Sequence, residues 1–142
     1  MEIENFENCI IPILFNKTNK LFTKLYDDLL KPYGLSKFHG FYLICLHKNP
    51  EGLKLNDFNQ IIGCDKANTS RAMSDLESKG FIVRDSDSII EKKYMVKLTD
   101  VGKEVSDKFV NNIRKFGSSL MDKLTEDEQK QLVYLIQKMY GE

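Results

Sequence analysis

Apolar side chains recur every three or four residues at Leu14, Leu21, Leu25 and Leu29, which predicts a helix from about Ile10 to Lys31. Pro12 is acceptable near its start, and Pro32 with Tyr33-Gly34 ends it. Ser36 is placed to cap a second helix reaching about His47, with Phe38, Phe41, Tyr42 and Cys45 expected inward. After the turn Asn49-Pro50-Glu51-Gly52, a short helix from Asn56 to Ile62 is expected, capped by Asn56 and closed by Gly63. Asp65 opens the next helix, Lys66 to Lys79, which stops at Gly80. Phe81 with Val83, and the alternating Tyr94, Val96 and Leu98, read as two strands separated by the turn residues Asp85-Ser86-Asp87-Ser88. Thr99 then caps a long helix with Val101, Val105, Phe109, Ile113, Phe116 and Leu120 on one stripe. Thr125 and Glu128 form a capping box for a last helix bearing Leu132, Leu135, Ile136 and Met139.

The predicted order is four helices, two strands and two helices, a mainly α (α+β) fold. The end helices are amphipathic and long beside the compact middle. Their apolar stripes have no evident partner within the chain, so a partner subunit is expected. At 142 residues, with no repeat, low-complexity tract or Pro/Gly linker, the chain reads as a single domain. No apolar run is long enough to span a bilayer and no secretory signal is visible, so a cytoplasmic setting is expected.

The stretch from Leu55 to Gly102 carries the functional signal. A short helix, a tight turn at Gly63-Cys64 and a second helix opened by Asp65 make a helix-turn-helix, and the strand pair after it adds a wing. In such a unit the second helix enters the major groove. Thr69, Met73 and Leu76 fall on one face of it, apolar enough to pack inward. Lys66, Ser70 and Ser74 fall opposite, flanked by Asn68 and Arg71. Short polar groups and a guanidinium suit base edges, and Lys66 near the helix start suits a phosphate. Formal net charge is zero, with 21 basic and 21 acidic residues, so attraction to phosphate has to be local.

The run from Asp65 to Ile82 resembles the recognition helix and first wing strand of the MarR family of transcriptional regulators. Leu98-Thr99-Asp100-Val101-Gly102 is similar to that family's Leu-Thr-x-x-Gly exit from the wing, and Leu35-Ser36-Lys37-Phe38-His39 sits where its second helix opens. The resemblance covers nearly the whole chain. It implies a winged helix-turn-helix with N- and C-terminal dimerisation helices: about 1–34 and 100–142 for the dimer, about 35–99 for the DNA-binding lobe. The implied activity is transcription regulation, as a repressor, by a homodimer on double-stranded DNA with a pseudo-palindromic operator. DNA contacts fall to Lys66, Asn68, Thr69, Ser70, Arg71 and Ser74, with wing support from Arg84, Lys92 and Lys93. The resemblance further implies a pocket between the dimer helices and the DNA-binding lobe for a small aromatic effector, beside Phe38, His39 and Tyr42. One departure concerns the wing: where the family carries an Asp-x-Arg signature, this chain reads Ile90-Glu91-Lys92, and lysine lacks the planar fork of arginine.

Three cysteines, Cys9, Cys45 and Cys64, form no CxxC pair. Cys9 near the first helix and Cys64 before the recognition helix keep a thiol-based redox regulator open as an alternative. Cys45, among Leu43, Ile44 and Leu46, reads as a buried hydrophobe. His39 and His47 stand two helical turns apart, too far to chelate one ion together, and no metal or cofactor is expected. With no glycine-rich phosphate loop, GxSxG or HExxH, an enzyme is not expected either. The neutral charge leaves a second alternative, a winged-helix protein-interaction module without DNA binding.

Overall fold

The computed structural model describes residues 9–86 and 94–142. Helix α1 spans Ile10–Leu30, followed by a 3-10 turn at Lys31–Tyr33 that Gly34 closes in the left-handed region (φ 70°). Helix α2 is Lys37–Lys48, strand β1 Leu53–Lys54, α3 Leu55–Ile62 and α4 Lys66–Ser78. Strands β2 (Ile82–Ser86) and β3 (Tyr94–Leu98) follow, then α5 (Asp100–Met121) and α6 (Glu126–Met139). Two compact units result, one ending at Val110 and the other running Asn111–Glu142.

In the first unit the three strands form one antiparallel sheet in the order β1-β3-β2. Arg84 lies opposite Val96 in the β2–β3 ladder, and Leu53 lies opposite Val96 in the β1–β3 ladder. The two-residue β1 is an addition to the expected pair of strands. It carries too few residues to show alternation, and it exists because β3 offers it an edge. Its presence also moves the start of α3. Asn56 is inside the helix, and the cap is Lys54, whose backbone N–H donates to the Asp57 carboxylate at 2.9 Å.

The core of this unit gathers Leu30 of α1, Leu43 and Leu46 of α2, Phe58 of α3, Met73 and Leu76 of α4, Ile82 and Val96 of the sheet, and Phe109 of α5, all essentially without solvent contact. Tyr26 meets Phe109 edge to face, ring centres 5.1 Å apart. A Cβ on Gly40 would press on both rings, so that glycine is needed where α2 crosses them. The expected inward set on α2 is half right. Tyr42 and Cys45 are buried, whereas Phe38 and Phe41 are exposed, because α2 is covered on one side only.

The exit from the hairpin is a clasp. The Thr99 backbone N–H donates to the Phe81 carbonyl (3.0 Å), its hydroxyl donates to the Gly80 carbonyl (2.6 Å) and accepts from the Gly102 N–H (3.0 Å). Gly102 sits so close on the Phe81 carbonyl that any Cβ there would collide with it. This is the physical content of Leu-Thr-x-x-Gly.

In the second unit, the Thr125 hydroxyl accepts from the Glu128 N–H (3.2 Å), and the Glu128 carboxylate accepts from the Thr125 N–H (2.8 Å), closing the expected capping box. Along α6, Leu132, Val133, Tyr134, Leu135 and Met139 are exposed. In the first unit, Ile11, Ile13, Leu14, Phe15 and Leu21 of α1 are likewise exposed.

Candidate nucleic-acid interface

Helix α4 is set by its two ends. Gly63 takes the left-handed conformation (φ 76°) that ends α3, and the Asp65 carboxylate accepts from the Asn68 N–H at 2.7 Å, turning the chain into α4. Thr69, Ala72, Met73 and Leu76 face inward. Lys66, Asn68, Ser70, Arg71 and Ser74 face solvent.

Thr69 is thereby removed from the expected contact set. It is 1% exposed, and its hydroxyl donates to the Asn59 side-chain carbonyl (2.5 Å) while accepting from the Tyr42 hydroxyl (3.2 Å). It joins α2, α3 and α4 and fixes the position of α4. Of the others, Arg71 donates to the Asn68 side-chain carbonyl (2.7 Å), which holds the guanidinium beside the first turn of α4. Arg84, on β2, leans back onto α4, its Nε 3.3 Å from a Glu77 carboxylate oxygen and its Nη2 3.5 Å from the Ser74 hydroxyl. Lys92 and Lys93 lie outside the described residues. Asp85, also on β2, pairs with Lys97 across the ladder at 3.3 Å.

Phe38, His39 and Tyr42 do share a cleft, of about 260 Å³, yet its opposite wall is α4: Asn68, Arg71 and Asp75, with Cys64 at the helix entrance. Among the described residues that line it, none comes from α1, α5 or α6. The proton map of its polar wall follows from the bonds. The Ser36 N–H donates to His39 Nδ1 (3.0 Å), so the neutral ring carries its proton on Nε2 and donates it to Asp75 (3.2 Å). Burial pushes the Tyr42 hydroxyl above its ordinary value, and it stays neutral as the donor to Thr69.

Cys9 is exposed, Cys45 buried with its thiol pushed up by burial, and Cys64 half-buried. His47 pairs with Asp107 at 3.0 Å and His39 with Asp75, so the two histidines serve separate carboxylates. Among the described residues no group of three or more His, Cys, Asp or Glu is placed to hold a metal ion.

A recognition helix with a polar outer face, a supporting α3 and a following strand pair define a winged helix-turn-helix protein. The chain has the fold of the MarR family of transcriptional regulators. A regulator from S. aureus, MepR in its DNA-binding conformation, superposes with a TM-score of 0.84 over 92% of this chain and 96% of that one, at 22% identity. A MarR-family regulator from Listeria monocytogenes, solved with a 26mer DNA, gives 0.82 over 89% and 84%, at 19% identity. In sequence, the HTH-type transcriptional regulator BilQ of Clostridioides difficile is 29% identical over 133 residues, 94% of this chain and 89% of the relative. No family model matches the chain.

Proposed function

We propose that this chain is a DNA-binding transcriptional regulator that acts as a homodimer, sets one α4 in the major groove at each half of a pseudo-palindromic operator, and represses by covering a promoter. The observation that carries the reading is the division of α4: an inner face locked into the core by Thr69, Met73 and Leu76, and an outer face of Lys66, Asn68, Ser70, Arg71 and Ser74. Arg71 matches the two acceptors of guanine, and Lys66 matches a phosphate. Solved proteins of the same fold are described with DNA, which supports the assignment. The exposed apolar rows on α1 and on α6 support a partner subunit that covers them. A small aromatic effector beside Phe38, His39 and Tyr42 relieves binding. A cytoplasmic setting accords with the absence, among the described residues, of any helix long and apolar enough to cross a membrane.

The test is binding to the DNA flanking the protein's own gene, followed across a salt series, with wild type beside Arg71→Ala. Affinity is expected to fall steeply with salt, and the substitution to cost about 1–3 kcal/mol. Failure of both proteins to bind any fragment at low salt, in a selection over whole genomic DNA, would sink the reading. One observation favours the protein-interaction module instead: on the described wing strands Glu77 occupies Arg84 and Asp85 occupies Lys97. An interface with protein would be nearly indifferent to salt, which separates the two.

A further inference from the structure

Asn59 of α3 carries donors that the fold leaves open. The single hydroxyl proton of Thr69 goes to the Asn59 side-chain oxygen (2.5 Å), and the Tyr42 hydroxyl donates to Thr69 in turn (3.2 Å). This relay fixes which way the Asn59 amide faces, oxygen toward Thr69 and nitrogen away from it. Among the described residues that nitrogen donates to nothing, and because it is not a buried orphan it keeps access to solvent. Asn59 lines a groove of about 340 Å³ between α3 and α4. Asn56 and Asn59 stand one turn apart on its α3 side, and Lys66 and Ser70 one turn apart on its α4 side.

The lining selects an anion. Lys66 is its only charged side chain, and it enters none of the ion pairs among the described residues. No carboxylate lines the groove: Asp65, next to Lys66 in the chain, accepts instead from the Asn68 N–H at the start of α4. We propose that the groove seats a phosphodiester oxyanion of the DNA backbone between the Asn59 amide N–H groups and the Lys66 ammonium. Thr69 stands behind Asn59 as a positioning residue. The inference rests on the DNA-binding reading above and adds to it a contact from α3, outside the reading helix. In a helix-turn-helix the first helix crosses the backbone while the second enters the groove, which brings the space between them to phosphate and not to base edges. An N–H bonded to an ionised oxygen is among the stronger hydrogen bonds, yet a neutral amide changes no ion count. Asn59 should therefore add affinity without salt dependence, and Lys66 should add both.

The test takes a fragment selected from genomic DNA and remakes it as duplexes that each carry one neutral methylphosphonate linkage. On the unmodified duplex, Asn59→Ala should bind about tenfold more weakly with an unchanged salt slope, whereas Lys66→Ala should bind more weakly with a slope shallower by about one ion. At one linkage in each half-site, neutralisation should weaken the wild type and have little effect on Asn59→Ala, while losses at every other linkage stay equal. Asn59→Asp keeps an acceptor for Thr69 and should keep the urea midpoint at pH 8, but it turns a carboxylate toward the phosphate. It should bind the unmodified duplex more weakly than Asn59→Ala and bind better when that same linkage is neutral. Thr69→Val should shrink the wild-type loss at that linkage alone, and Thr69→Ser should restore it. A pattern of losses that Asn59→Ala leaves unchanged overturns the contact, and one that Thr69→Val leaves unchanged overturns the positioning role. An Asn59→Asp midpoint as low as that of Asn59→Ala means that the nitrogen faces Thr69, and overturns the relay. If the wild type binds no fragment at all, the regulator reading falls and this inference falls with it.

Discussion

Glu77 of the recognition helix holds Arg84 of the wing strand, carboxylate Oε2 to guanidinium Nε at 3.3 Å, with the arginine half-buried and the acid half-exposed. Nε makes no hydrogen bond among the described residues, so the attraction there is Coulombic, and a second nitrogen leans on Ser74 at 3.5 Å. The pair ties wing to helix, and it withholds a cation from any nearby phosphate.

Glu77→Gln should therefore tighten DNA binding. The substitution frees Arg84 and removes a negative charge from the reading side of α4. Fluorescence anisotropy over a salt series is expected to show higher affinity and a log-log slope steeper by about one ion. An unchanged slope would mean that Arg84 stays on α4 without its partner.

Thr69→Val keeps the shape of the side chain and removes its hydroxyl. The buried Tyr42 hydroxyl and the part-buried Asn59 amide then lose their partner, a loss of about 1–3 kcal/mol in urea unfolding. Thr69→Ser should recover most of it. In DNA binding, Thr69→Val should lower affinity without changing the salt slope, since no cation is lost.

Stability should decline on the alkaline side. Burial raises the Tyr26 and Tyr42 hydroxyls and the Cys45 thiol above their ordinary values. In each case the folded protein favours the neutral form. The contribution is fully present below the unfolded-state value and is lost as pH rises through the folded one, from about pH 9 upward. Tyr26→Phe retains the ring contacts with Phe41 and Phe109 and removes one ionisation, so denaturant midpoints between pH 8 and 11 should fall less steeply in that variant.

Leu135→Glu places a charge in the exposed apolar row of α6. Analytical ultracentrifugation is expected to show a shift from dimer to monomer, with operator affinity dropping by about 10²-fold or more as the two half-sites lose their link. A sedimentation coefficient equal to wild type would remove α6 from the interface.

Much of this was legible along the chain because caps and breakers are local. Asp65, Thr99, Thr125 and Gly63 each act within three or four residues, and each is found in its expected role. What escaped depends on neighbours remote in sequence. Spacing marks Thr69, Met73 and Leu76 as the inner face of α4, but the partners of the Thr69 hydroxyl come from α2 and α3 and cannot be read from periodicity. Phe38 and Phe41 are apolar yet outward, since periodicity marks which residues share a face and not whether anything covers it. Arg84 read as a wing cation, and only the fold brings Glu77 to it. Phe38, His39 and Tyr42 share a cleft, and only the fold supplies α4 as its opposite wall.

The clasp formed by Phe81, Thr99 and Gly102 has a bearing on how such a protein diversifies. It fastens the hairpin where the strands leave the body of the protein, the Phe81 carbonyl accepting the Thr99 amide and leaving no room for a side chain at Gly102. The two strands are thus registered from their root. Changes on β2 and β3 that spare Phe81, Thr99 and Gly102 leave the grip at the base as it is. A lineage can in this way vary its wing strands on an unaltered handle while its interior stays as it was.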